Sequence, residues 1–288
     1  MSREDLLARL ATGETTVCRC WRLVRRDGAV YGFTDHDRDL AFEGTTFLAE
    51  TGITARALLQ TTGLAIDNTE AAGALSGAAL TEEEIVAGRF DGAGITAWLV
   101  DWEMPAARMV EFAGSLGELS RGEGAFRAEL RGLSVPLNEV IGRAYLPRCG
   151  AVVGDGRCRV DLSQPAFRHE ATVAAVEGDT VLWFDPGTTE GFADRWFEKG
   201  RVEVLSGAAA GLWASVKTDR LSATGRRVEL WQGLRAPLVA GDVVRVTAGC
   251  DKLAETCRVK FGNMLNFRGF PTIPGEDWLM VVPAKARR

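Results

Sequence analysis

Polar and apolar residues alternate along most of this chain, and a helical period breaks in only briefly. Leu6, Leu7 and Leu10 share one face behind a capping Ser2. Asp5 falls three residues on and Gly13 supplies a stop, which together predict a short first helix. The period then becomes strand-like. Residues 17–25 and 29–34 flank Asp27-Gly28, a hairpin signal because glycine accepts the positive φ of a tight turn. Residues 40–43 and 45–50 flank Gly44 in the same way. A second helix is predicted over 81–87, with Thr81 as cap, Glu84 at the capping-box position and Gly88 as terminator. Strands are predicted over 95–101, 108–113 and 126–130, then a short helix over 134–141.

Ser163-Gln164-Pro165-Ala166 reads as a domain boundary, being short, polar and broken by proline. Beyond it the chain is nearly all strand and turn, over 169–176, 180–184, 201–205, 213–218, 227–231 and 242–247. That rhythm suits a small antiparallel barrel or sandwich. After Gly249 the pattern turns irregular, with Pro271, Pro274 and Pro283. The expected fold is therefore mainly β, of the α+β kind with minor helices. It comprises an N-terminal β-rich domain over 1–165, a C-terminal barrel or sandwich over 166–249, and an irregular segment over 250–288.

Composition narrows the classes. A length of 288 residues suits two domains at about 150 residues each. Hydrophobic residues at 46% and charged residues at 25% exclude a disordered or collagen-like chain. No apolar run reaches the roughly 18 residues of a membrane span. The opening Met1-Ser2-Arg3-Glu4-Asp5 lacks the basic and apolar regions of a signal peptide, so folding in the cytosol is expected. A net charge of −5 argues against a dedicated duplex-binding protein, and the basic Lys285-Ala286-Arg287-Arg288 end reads as a solvated terminus. Two histidines, His36 and His169, leave little scope for a histidine-rich metal site.

The six cysteines change the picture most. Four form two pairs, Cys149-x8-Cys158 and Cys250-x6-Cys257, both in irregular segments. Cytosolic chains disfavour disulfides, so paired thiols there point to metal binding or redox work, with free buried thiols as the plain alternative. Structural zinc draws its ligand pairs from closer spacings, because four sulfurs must meet one ion at about 2.3 Å. An iron–sulfur cluster is larger and suits longer loops. Gly150, Gly154 and Gly156 in the first loop let backbone N–H groups turn toward an anionic centre. Six bases (Arg148, Arg157, Arg159, Lys252, Arg258 and Lys260) outnumber four acids (Asp155, Asp161, Asp251 and Glu255), a surplus of two that favours an anionic cluster modestly. Cys18 and Cys20 share one side of a predicted strand and read as buried small hydrophobes.

Two other motifs fail. Asp35, Asp37 and Asp39 imitate the start of a calcium loop, but Leu40 stands where that loop needs glycine and Thr46 where it needs glutamate, leaving a polar turn. Gly92-Ala93-Gly94-Ile95-Thr96-Ala97 spells a dinucleotide fingerprint, yet it follows a helix and precedes a strand, the reverse of the order phosphate binding requires.

Longer words carry a family likeness. They are Ala248-Gly249-Cys250-Asp251-Lys252, Thr256-Cys257-Arg258-Val259-Lys260-Phe261-Gly262-Asn263, and the run from Asn266-Phe267-Arg268-Gly269-Phe270 through Pro271-Thr272-Ile273-Pro274-Gly275-Glu276-Asp277. In the N-terminal half they are Gly32-Phe33-Thr34-Asp35-His36-Asp37, Ala87-Gly88-Arg89-Phe90-Asp91-Gly92 and Gly154-Asp155-Gly156-Arg157-Cys158-Arg159-Val160-Asp161-Leu162. Together they cover nearly the whole chain. They resemble the tail-tip hub proteins of tailed phages, and most closely the baseplate hubs of alphaproteobacterial gene transfer agents, which are domesticated tailed-phage particles. Minor tail protein L of lambda-like phages, with its four-cysteine iron–sulfur cluster, is a more distant likeness.

The resemblance implies a structural protein of the virion tail tip, assembled in the host cytoplasm, and not an enzyme. It implies a homotrimer around the tail axis, set between the distal tail protein ring and a tail-tip or host-facing protein, with a tail-associated peptidase as one candidate neighbour. It implies a [4Fe-4S] cluster on Cys149, Cys158, Cys250 and Cys257, and gives Cys18 and Cys20 no role. No membrane span and no sequence-specific nucleic-acid contact are expected. Such a cluster would join the two domains; closing the 92 residues from Cys158 to Cys250 would restrict the unfolded chain by roughly 4–5 kcal/mol. Competing readings are a cysteine hydrolase pairing Cys149 or Cys158 with His36 or His169, and an adaptor holding zinc on the same four cysteines. Between Phe261 and Trp278 large apolar groups crowd an irregular stretch. They either cover the C-terminal core or form a subunit contact, with Phe267, Arg268 and Phe270 as its anchors.

Overall fold

The computed structural model describes residues 3–13, 16–49, 68–73, 81–122, 125–132 and 142–273. The chain divides into two compact units, Met1–Val140 and Ile141–Arg288.

In the first unit, helix α1 (Arg3–Ala11) ends where Gly13 takes a φ of +84°. Strands β1 (Val17–Val24) and β2 (Val30–Thr34) form the expected hairpin, with Gly28 at +88° in its turn. A two-stranded ribbon follows, β3 (Leu40–Phe42) and β4 (Thr45–Phe47), turning at Glu43 and Gly44, both left-handed. Strand β5 (Asn68–Gly73) precedes helix α2 (Glu82–Val86), whose cap Thr81 accepts a hydrogen bond from the Glu84 N–H at 3.3 Å. Strands β6 (Gly94–Asp101), β7 (Arg108–Gly122) and β8 (Ala125–Gly132) complete a six-stranded antiparallel sheet in the order β2-β1-β6-β7-β8-β5.

This sheet buries both faces, at different ends. Along β1 the buried residues are Cys18 and Cys20, then Trp21 and Leu23, so the inward face switches midway. β6 switches in step, from Ile95 and Ala97 to Trp98 and Val100, at an irregularity in its pairing with β7 between Ala97 and Trp98. Two separate cores result. One holds Trp21, Phe33, Phe90 and Phe112; the other holds Cys18, Cys20, Phe47 and Trp98 under the β3–β4 ribbon.

The second unit is one seven-stranded antiparallel sheet. Its strands are β9 (Arg168–Thr172), β10 (Ala175–Glu177), β11 (Val181–Phe184), β12 (Arg201–Val204), β13 (Trp213–Ser222), β14 (Gly225–Leu230) and β15 (Val243–Thr247). The order is β10-β11-β14-β13-β12-β15-β9. The expected barrel or sandwich is thus a single curled half-barrel among the described residues, closed over a core of Val173, Leu182, Phe184, Phe197, Val216 and Val244. Inside it Arg226 and Asp219 are fully buried and paired at 2.7 Å, and Arg226 also donates to Thr189 Oγ1 at 3.0 Å. Asp219 in turn accepts the Phe197 N–H at 2.8 Å, which pins the 189–197 loop to the sheet. Burial pushes the Asp219 carboxyl up, and the Phe197 N–H and Arg226 counter it.

The division into units by contacts falls after Val140, whereas the composition placed a domain boundary at 163–166. Pro165 lies in a turn inside the second unit, where Gln164 accepts N–H bonds from Phe167 and Arg168. Helix α3 (Ala254–Val259) and a short 3-10 helix (Met264–Asn266) occupy a stretch expected to be irregular. The helix expected over 134–141 lies outside the described residues.

Candidate metal centre

Two segments of the second unit lie side by side and carry the paired cysteines. Cys149 N–H donates to Lys252 O at 2.9 Å, Gly150 N–H to Arg268 O at 3.2 Å, and Phe270 N–H to Leu146 O at 2.9 Å. Lys252 Nζ adds a 2.6 Å bond to Ala151 O. This close approach explains Gly269: a Cβ there would sit 2.7 Å from Arg148 C and 2.8 Å from Cys149 N. Gly249 is required in the same way, because a Cβ would lie 1.9 Å from Glu198 O just ahead of Cys250.

Each cysteine pair has an aspartate that shapes its loop. Asp155 accepts N–H bonds from Val152, Arg157 and Cys158 at 2.9, 2.9 and 2.6 Å. The Cys158 N–H foremost holds its carboxyl below the usual range. Asp251 accepts from Leu253 N–H and Thr256 Oγ1, both at 2.9 Å, at the start of α3. Arg159 and Lys252 take left-handed φ angles of +61° and +70° beside Cys158 and Cys250. Such turns aim N–H groups inward, toward negative charge.

Cys149, Cys158, Cys250 and Cys257 all line one cavity, together with Ala151, Val153, Val160, Leu253, Phe261 and Phe267. Its empty volume, open mouth included, is about 330 Å³. Three sulfurs already have N–H donors: Lys252 N–H to Cys250 at 3.4 Å, Arg268 N–H to Cys149 at 3.4 Å, and Asn263 Nδ2 to Cys158 at 3.7 Å. Burial raises the Cys250 and Cys257 thiols above their ordinary range, and Cys257 is raised further by the other three sulfurs. Lys260 lies half-buried nearby, donating to the Trp196 and Gly249 carbonyls, over the Trp196 ring at 4.6 Å. Burial lowers its ammonium to about 8. Among the described residues, no three of His, Cys, Asp and Glu are grouped to grip a single ion.

The four cysteines thus come together, but inside one unit. Hydrogen bonds between the two segments tie residues 146–158 to 250–270 within the second unit. The histidines do not join them. His169 Nε2 lies 2.6 Å from Thr188 O with its ring against Phe192, and His36 belongs to the first unit, stacked on Trp102 at 5.1 Å. No histidine lines the cavity. Asp35 and Asp39 serve as backbone acceptors, for Arg19 N–H and Ala49 N–H, in keeping with a polar turn. The anchor residues separate: Phe267 faces the cavity, Arg268 is exposed, and Phe270 is 44% exposed against Tyr145 at 4.9 Å. No motif in the sequence marks Asn263, which bonds to both cysteine loops.

This cysteine-lined centre sits in a chain whose first half matches a known structural class. The family profile described as baseplate hub protein, N-terminal attachment domain, matches residues 3–161. The chain belongs to the baseplate hub family, and it is a structural component of a phage-like tail. A second profile, described as phage conserved hypothetical protein BR0599, matches residues 195–277. Among solved structures, a chain in the virion of a native gene transfer agent particle is 56% identical, covering 99% of this chain and 97% of that one, with a TM-score of 0.90. The likeness to gene transfer agent hubs read from the sequence is borne out. No curated protein matches. No helix among the described residues is long and apolar enough to cross a membrane.

Proposed function

We propose that this chain is a trimeric hub in the baseplate of a gene transfer agent tail, set between the distal tail ring and a tail-tip or host-facing protein. A [4Fe-4S] cluster on Cys149, Cys158, Cys250 and Cys257 holds its second unit in shape. The observation that carries the cluster reading is four thiols lining one cavity, three of them facing N–H donors. Thiolate ligands with N–H···S bonds are the setting iron–sulfur clusters use. The surrounding cations, Lys252 and Lys260 among them, offset negative charge there. When bound, the cluster supplies a rigid cross-link between the two segments; no electron-transfer step is assigned to it.

Zinc on the same thiols is the second reading, and the long spacing within each cysteine pair favours the larger group. A cysteine hydrolase is the third, and the cavity offers its thiols no imidazole.

The neighbour-facing surface is the Arg268–Phe270 edge. Phe270 and Tyr145 form an exposed aromatic pair, and Leu265, a few residues before Phe270, is 98% exposed. Large exposed apolar groups together with arginine are the residues that anchor interfaces. Arg268→Ala and Phe270→Ala should lower particle yield several-fold while the isolated chain keeps its melting temperature and cluster. Normal yield from both variants would overturn this contact. Native mass measurement of the purified chain, alone and with the tail ring protein, tests the trimer.

A further inference from the structure

We infer that Asn263 is a positioning residue for the cysteine centre, latching the two cysteine loops together and donating an N–H to the Cys158 sulfur. The inference rests on the cluster reading above. Asn263 follows α3 and touches ligands from both pairs. Its Nδ2 donates to Cys158 O at 2.6 Å and lies 3.7 Å from Cys158 Sγ, across 105 positions of sequence. Its backbone N–H donates to Cys257 O at 2.9 Å, and the Cys257 thiol donates to Asn263 O at 3.3 Å. Asn266 Nδ2 donates to Asn263 Oδ1 at 2.7 Å, which fixes the amide so that its nitrogen faces Cys158. One residue thus touches a cysteine of each pair, Cys158 through its side chain and Cys257 through its backbone.

The chemistry follows from those contacts. Ligand sulfurs are held as thiolates, and an N–H aimed at a thiolate stabilises its charge. Hydrogen bonds to cluster sulfurs and local net charge both set the reduction potential. Partners that orient metal ligands typically govern affinity by ten- to a hundred-fold. Aspartate has the shape of asparagine but no N–H, and it adds negative charge beside the thiolates. Alanine removes the side-chain bonds to the Cys158 loop without adding charge, and leaves the backbone bonds to Cys257.

The test uses the full chain, purified anaerobically, as parent, Asn263→Asp and Asn263→Ala. Iron release to a chelator, the reduction potential and the thermal melting of the metal-free chain are measured for each. Both variants should release iron about ten- to a hundred-fold faster than the parent. Asn263→Asp should show a more negative potential, with Asn263→Ala between it and the parent, and melting of the metal-free sheet should stay unchanged. A loaded parent whose variants match it in release and potential overturns the role of Asn263 alone. Faster release with an unmoved potential and a lowered metal-free melting temperature also overturns it, showing a purely structural contact. A parent without iron and sulfide overturns the cluster reading and this inference with it.

Discussion

Cys18 and Cys20 lie two apart on β1, with side chains packed among Leu40, Phe47, Trp98 and Val100. A hydrogen bond to Cys18, then burial, pushes the Cys20 thiol up, and Cys20 also donates to Thr34 Oγ1 at 3.5 Å. The other four cysteines sit on loops and a short helix of the second unit, where left-handed residues and paired aspartates shape the loops, and Lys252, Arg268 and Asn263 present N–H groups to sulfur. The residue type is the same; the backbone decides its chemistry. A strand offers a thiol an apolar face and spends its N–H groups on the sheet ladder, so the thiol behaves as a small hydrophobe. A loop with positive φ has N–H groups to spare, so it can stabilise a thiolate.

The largest effect should come from breaking the second set. Cys250→Ser should abolish iron binding, and limited proteolysis should cut first within 251–273. Normal protease resistance would deny the centre its mechanical role. Next is the frame beneath it. Asp219→Ala strands Arg226 in the core and should destabilise the second unit by about 3–5 kcal/mol, read from urea unfolding. Because that pair pins the loop bearing Trp196, onto which Lys260 bonds, iron release should quicken as well.

Gly269→Ala is smaller, at about 1–3 kcal/mol of overpacking, because its Cβ would press on the backbone at Cys149. Its signature is partial iron loading with an intact sheet. Cys20→Ala should cost about 1 kcal/mol in melting and leave iron content untouched; lost iron there would dissolve the distinction between the two sets.

The smallest effect concerns pH. Burial holds Lys260 near 8 in the folded metal-free chain, against about 10.4 when unfolded. Between those values the unfolded state binds more protons, so this group's contribution to stability rises with pH. The raised thiols of Cys250 and Cys257 act in the opposite sense, but parent and variant share them. Lys260→Met should therefore lose stability relative to the parent as pH rises from about 8 to 10, seen in urea midpoints.

The sequence made the hairpins legible because glycine and aspartate mark their turns: Gly28 and Gly44 are left-handed where the pattern placed them. It concealed α3, which is six residues long and starts from Leu253 with no side-chain cap. What organises it is Asp251 and the loop of the other cysteine pair, long-range facts that no local period encodes. The division by contacts after Val140 was concealed for a related reason. Pro165 marks a turn, and nothing in the 142–162 stretch advertises that it packs beside residues 250–270, over a hundred positions away. The four ligand candidates were legible from spacing and family likeness. Asn263 was not, because its value lies in touching two loops at once.

What the four thiols hold decides the role of the cysteine centre. Anaerobic purification of the full chain, followed by iron, acid-labile sulfide and zinc analysis, addresses that directly. The expected result is a brown protein with about four iron and four sulfide per chain, lost together in Cys250→Ser. A colourless protein carrying one zinc, or no metal at all, would contradict it.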